Sequence, residues 1–96
     1  MDKSPFKNRK MVKEMIDLPT VINYSFVGLA SPEYHAKLEK IVMRIAGDEN
    51  IRKRSFKESA RGNYTAYRYR IYHDDFETIE ELYKAVSELE GTKFLV

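Results

Sequence analysis

Residues 51–72 read IRKRSFKESARGNYTAYRYRIY, a stretch that predicts two β-strands joined by a tight turn. From Tyr64 the residues alternate with a period of two: Thr65, Tyr67, Tyr69 and Ile71 form one row, and Tyr64, Ala66, Arg68, Arg70 and Tyr72 the other. Leaving Arg68 and Arg70 buried and unpaired costs several kcal/mol each, so the Tyr and Ile row is expected to face the core. Arg61, Gly62 and Asn63 supply the turn, where Gly62 can take a positive φ without a steric penalty. On the strand before it Phe56 is the only large apolar residue after Ile51, surrounded by Arg and Lys, as suits a guarded sheet edge.

Working outward, residues 21–29 alternate as a strand, with Ile22, Tyr24 and Phe26 on one side and Asn23, Ser25 and Val27 on the other. Gly28 marks its exit. Ser31 followed by Pro32 opens a helix over residues 32–46 with the stripe Tyr34, Leu38, Ile41, Val42 and Ile45, and Gly47 closes it. After the hairpin, Asp74 and Glu77 have capping-box spacing and predict a helix over residues 76–89, striped by Phe76, Ile79, Leu82, Tyr83, Val86 and Leu89. Gly91 ends it, and residues 93–96 are expected as a short last strand. Residues 1–12 are expected to form a flexible basic tail and residues 13–96 one domain. A two-turn helix over residues 10–16 is expected to dock through Met11, Val12, Met15 and Ile16.

The order strand, helix, strand, strand, helix, strand predicts an α+β ferredoxin-like (βαββαβ) two-layer sandwich. Its four-stranded antiparallel sheet should run fourth, first, third, second, with both long helices on one face. The other face is then open and displays Asn23, Ser25, Val27, Lys53, Ser55, Tyr64, Arg68, Arg70 and Tyr72.

With 96 residues the chain has room for one core and not two. It lacks cysteine, which removes disulfide and thiolate chemistry, and it has no apolar run of the ~20 residues a membrane span needs. A cytoplasmic protein with no membrane partner is expected. Net charge is only +2, but the charges are segregated. Arg52, Lys53, Arg54, Lys57, Arg61, Arg68 and Arg70 stand in the hairpin against Glu58. Asp74, Asp75, Glu77, Glu80, Glu81, Glu88 and Glu90 follow against Lys84. Such segregation can steer a partner, or it can be two solvated faces that attract each other within the domain or between copies.

No residue pattern points to catalysis, a cofactor or a metal. His35 and His73 lack a Cys or a helical His partner and read as surface or helix-end residues. Asp74 and Asp75 read as caps rather than as an acid-base pair, and the glycines are scattered at element ends rather than gathered in a phosphate loop.

Asp17-Leu18-Pro19-Thr20, Tyr24 and Gly28, then Lys57, Ser59 and Gly62-Asn63-Tyr64, and finally Leu82-Tyr83 resemble the YbeD-like family of small bacterial proteins of unknown function (domain of unknown function 493). The resemblance spans residues 13–96, and its most specific part is the Ser59-x-x-Gly62-Asn63-Tyr64 turn. It implies a fold similar to ACT regulatory domains, which bind small molecules such as amino acids and associate through sheet edges or helices. In that case the loop with Gly28 and Ser31 lies where such domains hold a ligand. The candidate interaction surface is Lys57, Ser59, Arg61, Gly62, Asn63, Tyr64, Arg68, Arg70 and Tyr72.

Two non-enzymatic roles follow. One is a regulatory or protein-interaction module that recruits a second copy, another protein or a small ligand. The other is an RNA platform, since an open sheet with Tyr and Arg is how RRM-type domains stack bases. The RRM signature is absent from residues 64–72, so nucleic acid is the less expected partner.

Overall fold

The computed structural model describes residues 6–58 and 62–95. In order they form α1 (Arg9–Met15), β1 (Thr20–Leu29), α2 (Pro32–Ala46), a 3₁₀ turn (Asp48–Asn50), β2 (Ile51–Glu58), β3 (Tyr64–His73), α3 (Phe76–Glu88) and β4 (Thr92–Leu95). The sheet runs β2-β3-β1-β4 with antiparallel pairing throughout, the expected order read from its other edge. This is the ferredoxin-like sandwich.

The two long helices form where their signals stand. Ser31 Oγ accepts the Tyr34 N–H at 3.1 Å, and Pro32 occupies the first turn of α2. At α3 the cap is Asp75 rather than the expected Asp74, its Oδ1 accepting the Thr78 N–H at 2.9 Å. Two adjacent aspartates both suit the role, and the extended backbone at Asp75 decides between them. Hydrogen bonding from Thr78, its side chain first and then its N–H, holds the Asp75 carboxyl below the usual carboxylate range.

Tyr24 and Phe26 from β1, Tyr67, Tyr69 and Ile71 from β3, Leu38 and Val42 from α2, and Leu82 and Val86 from α3 close the core. Arg68 and Arg70 lie exposed on the opposite side, as the cost of burying them requires. Phe56 is in the helix-side row, paired with Tyr67, yet it is 58% exposed. Its strand is the outermost of the sheet, and the His35 ring of α2 packs against one side of the Phe56 ring while the other stays open.

His73 overturns its expected surface position, because β3 runs one residue further than the alternation up to Tyr72 suggested. It continues the Thr65 to Ile71 row and is 2% exposed. Its Nε2 lies 2.8 Å from the Tyr24 hydroxyl, while Nδ1 is buried without a partner. Burial pushes its pKa below the ordinary histidine value, against the opposing pull of Asp75 and Asp74. The unfolded chain therefore takes up the proton first as pH falls, so the stability His73 contributes is present above about pH 6.5 and is lost as pH drops through its folded value. Urea midpoints measured at pH 7.5 and 5.5 should differ more in the wild type than in His73→Phe; equal differences would refute the assignment.

α1 docks differently from the expectation. Val12 and Ile16 are half-buried, but Met11 and Met15 are 55% and 77% exposed, and Phe6 and Arg9 make further contacts with α3. The Phe6 ring lies 5.8 Å from that of Phe76 and 5.3 Å from that of Tyr83. Arg9 reaches Glu80 at 2.6 Å and stands over the Phe76 ring. Residues 1–5 of the expected tail lie outside the described residues.

The β2–β3 turn is held where it enters β3. Gly62 has φ +72°, and no non-glycine residue among those described has a positive φ. The Asn63 carbonyl accepts the Ala30 N–H at 3.1 Å, tying the turn to the loop before α2. A Cβ at Gly62 would meet no atom within 4 Å, so substitution there is penalised by backbone conformation alone. Gly62→Val is expected to lose at least about 1 kcal/mol, read as a lowered chemical-denaturation midpoint, and an unchanged midpoint would remove the argument.

Candidate interaction surface

The open face of the sheet is built from the alternate residues of all four strands. β1 contributes Asn23, Ser25 and Val27, and β3 contributes Tyr64, Ala66, Arg68, Arg70 and Tyr72. Lys53, Ser55 and Lys57 of β2 stand opposite Arg70, Arg68 and Ala66. Asn23, Ser25, Lys53, Ser55, Arg68 and Arg70 line a shallow depression of ≈ 380 Å³ at its centre.

Two register shifts add charge to this face. One lies between Ile51 and Lys53, and there the extra residue, Arg52, stands 5.1 Å over the Tyr72 ring. The other lies between Val27 and Gly28 on the β4 side, where the Lys93 ammonium sits 4.3 Å over the Tyr64 ring. A bulge puts neighbouring residues on the same side of a strand. Arg52 thus joins Lys53, and Lys93 joins the outward Phe94, which pairs with Val27.

Arg52, Lys53, Lys57, Arg68, Arg70 and Lys93 form no ion pair among the described residues, and the strand residues named on this face include no Asp or Glu. Off this face, Arg9, Lys13, Arg44 and Arg54 are partnered. Arg54, on the helix side, reaches Glu39 at 2.6 Å and also Asp48, which hold its pKa up. The acids of α3 are met by Arg9, Lys13 and Arg44 rather than by the hairpin. Among the described residues, the hairpin cations on the sheet face and the acids of α3 therefore do not pair with each other.

Of the candidate surface residues, Lys57, Tyr64, Arg68, Arg70 and Tyr72 share the open face. Gly62 and Asn63 lie at the turn and build it, while Ser59 and Arg61 fall outside the described residues. The loop site divides. Ser31 caps α2 and lines a pocket of ≈ 250 Å³ with Pro32, His35, Phe56 and Tyr67. Gly28 is not at that pocket; it lies within β1 against the Tyr34 ring. The structural signal that sequence reading missed is the pair of bulges, which leave no mark in residue type. Among the described residues no cluster of His, Cys, Asp or Glu suited to a metal occurs, and no helix is long and apolar enough to cross a membrane.

These features define a ferredoxin-like, ACT-like α+β domain with an unpaired basic sheet face. Its fold matches the solution structure of protein HP0495 from H. pylori with a TM-score of 0.68, over 84% of this chain and 85% of that one, at 13% identity. The family model described as "Protein of unknown function (DUF493)" matches residues 13–96, and the chain belongs to that family. It is 31% identical over 86 residues to a UPF0250 protein of Buchnera aphidicola subsp. Schizaphis graminum, covering 88% of this chain and 95% of that protein. A UPF0250 protein of Vibrio vulnificus is also 31% identical over 86 residues, covering 88% of this chain and 90% of that protein. None of these descriptions names a reaction.

Proposed function

We propose that the chain is a non-catalytic regulatory or protein-interaction module whose open sheet face binds an acidic surface of another protein. The observation that carries this reading is the set of exposed, unpaired cations on a face without described carboxylates. Such a face steers an acidic partner and raises its association rate. Two copies meeting through it would bring like charges together, which favours a different partner over self-association.

An RNA partner would need Tyr64 and Tyr72 as stacking platforms. Both rings are half-buried and already carry a cation, from Lys93 and Arg52 respectively. A carboxylate-bearing protein needs only guanidinium and ammonium groups, and those of Lys53, Lys57, Arg68 and Arg70 are exposed.

The test is capture by crosslinking from nuclease-treated cell extract, followed by reconstitution of each identified partner as a purified protein. At least one acidic partner should bind the purified chain with defined stoichiometry at physiological salt. Failure of every captured protein to reconstitute would overturn the reading. So would sub-micromolar, salt-resistant binding of a uridine oligonucleotide that is lost in Tyr64→Ala and Tyr72→Ala.

A further inference from the structure

β2 is the outermost strand on its side of the sheet, and residues 52–57 are all exposed. An edge strand leaves a row of N–H and C=O groups free for another chain. Alongside it, between β2 and α2, lies a groove of ≈ 560 Å³ lined by His35, Glu39, Arg54, Ser55, Phe56 and Tyr69. The Phe56 ring forms one wall, 5.4 Å from the His35 ring and 6.2 Å from that of Tyr67. Phe56 is therefore a large apolar side chain held in place on its inner side and open on its outer side.

We propose that β2 is a strand-addition site for an extended segment of another protein in which acidic and apolar residues alternate. This rests on the reading of the chain as a protein-interaction module and names how one partner segment would be held. The regular ladder runs from Lys53 to Glu58, so the docked segment is about six residues, roughly 20 Å long. Successive side chains of an added strand point to opposite faces. Those on the helix side fall beside Phe56 and the groove, and those on the open side fall beside Lys53, Ser55 and Lys57. Apolar residues suit the first set and carboxylates the second.

The same charges argue against a second copy as the occupant. An antiparallel pair of β2 strands centred on Ser55 would set Lys53 directly opposite Lys57 of the other copy, and like charges so placed are destabilising. In that register the basic edge disfavours self-pairing, and it is complementary to an acidic strand.

The probe is an acetylated, amidated octapeptide in which Glu alternates with Val, titrated into the ¹⁵N-labelled chain. It should shift the amides of β2 and of His35 and slow exchange of the β2 amides. N-methylation of alternate peptide amides should weaken binding by about tenfold or more on the pairing edge, because it removes the ladder bonds. Phe56→Ser should weaken it by a similar factor. Tight binding of the N-methylated peptide, shifts confined to Arg68 and Arg70, or no binding at all would overturn the proposal. So would a dimer of the chain that Phe56→Ser dissociates. If the octapeptide fails while an acidic protein still binds through Arg68 and Arg70, strand addition is wrong and the sheet-face reading stands.

Discussion

Gly28→Ala should lower the stability of the domain by about 3 kcal/mol, which for a chain of this length lowers Tm by roughly 12–24 °C. A Cβ built at Gly28 would lie 2.3–2.4 Å from Tyr34 Cζ, Cε2 and Oη, far inside contact distance. Neither side can easily give. Gly28 is within the β1 ladder, paired with Thr65 on one side and Thr92 on the other. Tyr34 is 3% exposed, anchored on α2, with its hydroxyl 2.7 Å from Thr92 Oγ1. The ring therefore fills the space that a side chain at residue 28 would need. A double-mutant cycle checks this cause: Tyr34→Leu removes the clashing atoms, so Gly28→Ala should cost much less in that background than in the wild type. An unchanged Tm for Gly28→Ala, or strictly additive effects, would show that the contact does not govern this site.

The second large effect concerns binding. Arg68→Glu combined with Arg70→Glu should weaken a reconstituted acidic partner by about 100-fold, or roughly 2.7 kcal/mol, while leaving Tm nearly unchanged. Both side chains are exposed and unpaired among the described residues, so no folded-state bond is lost on substitution. They stand opposite Ser25 and Asn23 on β1 and opposite Ser55 and Lys53 on β2, at the centre of the face. Reversal there places two carboxylates where the partner presents its own. Partner affinity that survives the double reversal at physiological salt would move the interface off this face.

Much of this was legible in the sequence because local and tertiary demands agree. α2 begins and ends at the residues that Ser31, Pro32 and Gly47 mark, and the Tyr67, Tyr69 and Ile71 row is buried because Arg68 and Arg70 cannot be. Three of the features that were not legible have separate physical reasons. His73 lies in the same alternating row, but a histidine beside two aspartates also suits a turn, and only the pairing of Thr20 with His73 extends the strand to include it. The role of Gly28 comes from an aromatic ring on the next element, a packing relation with no local signature. The bulges at Arg52 and Lys93 depend on how neighbouring strands meet. They are what turn a row of alternating cations into a dense patch, and what cover the tyrosines.

A rival site for a carboxylate exists in principle at the N-termini of α2 and α3, but Ser31 and Asp75 already occupy those positions with their own side chains. The most direct test of the sheet-face claim is therefore a ¹⁵N amide titration of the chain with hexaglutamate at low salt. The largest shifts are expected at Lys53, Arg68 and Arg70, with the first turns of α2 and α3 unmoved. Shifts centred on those helix termini, or no shifts on the sheet, would contradict the account.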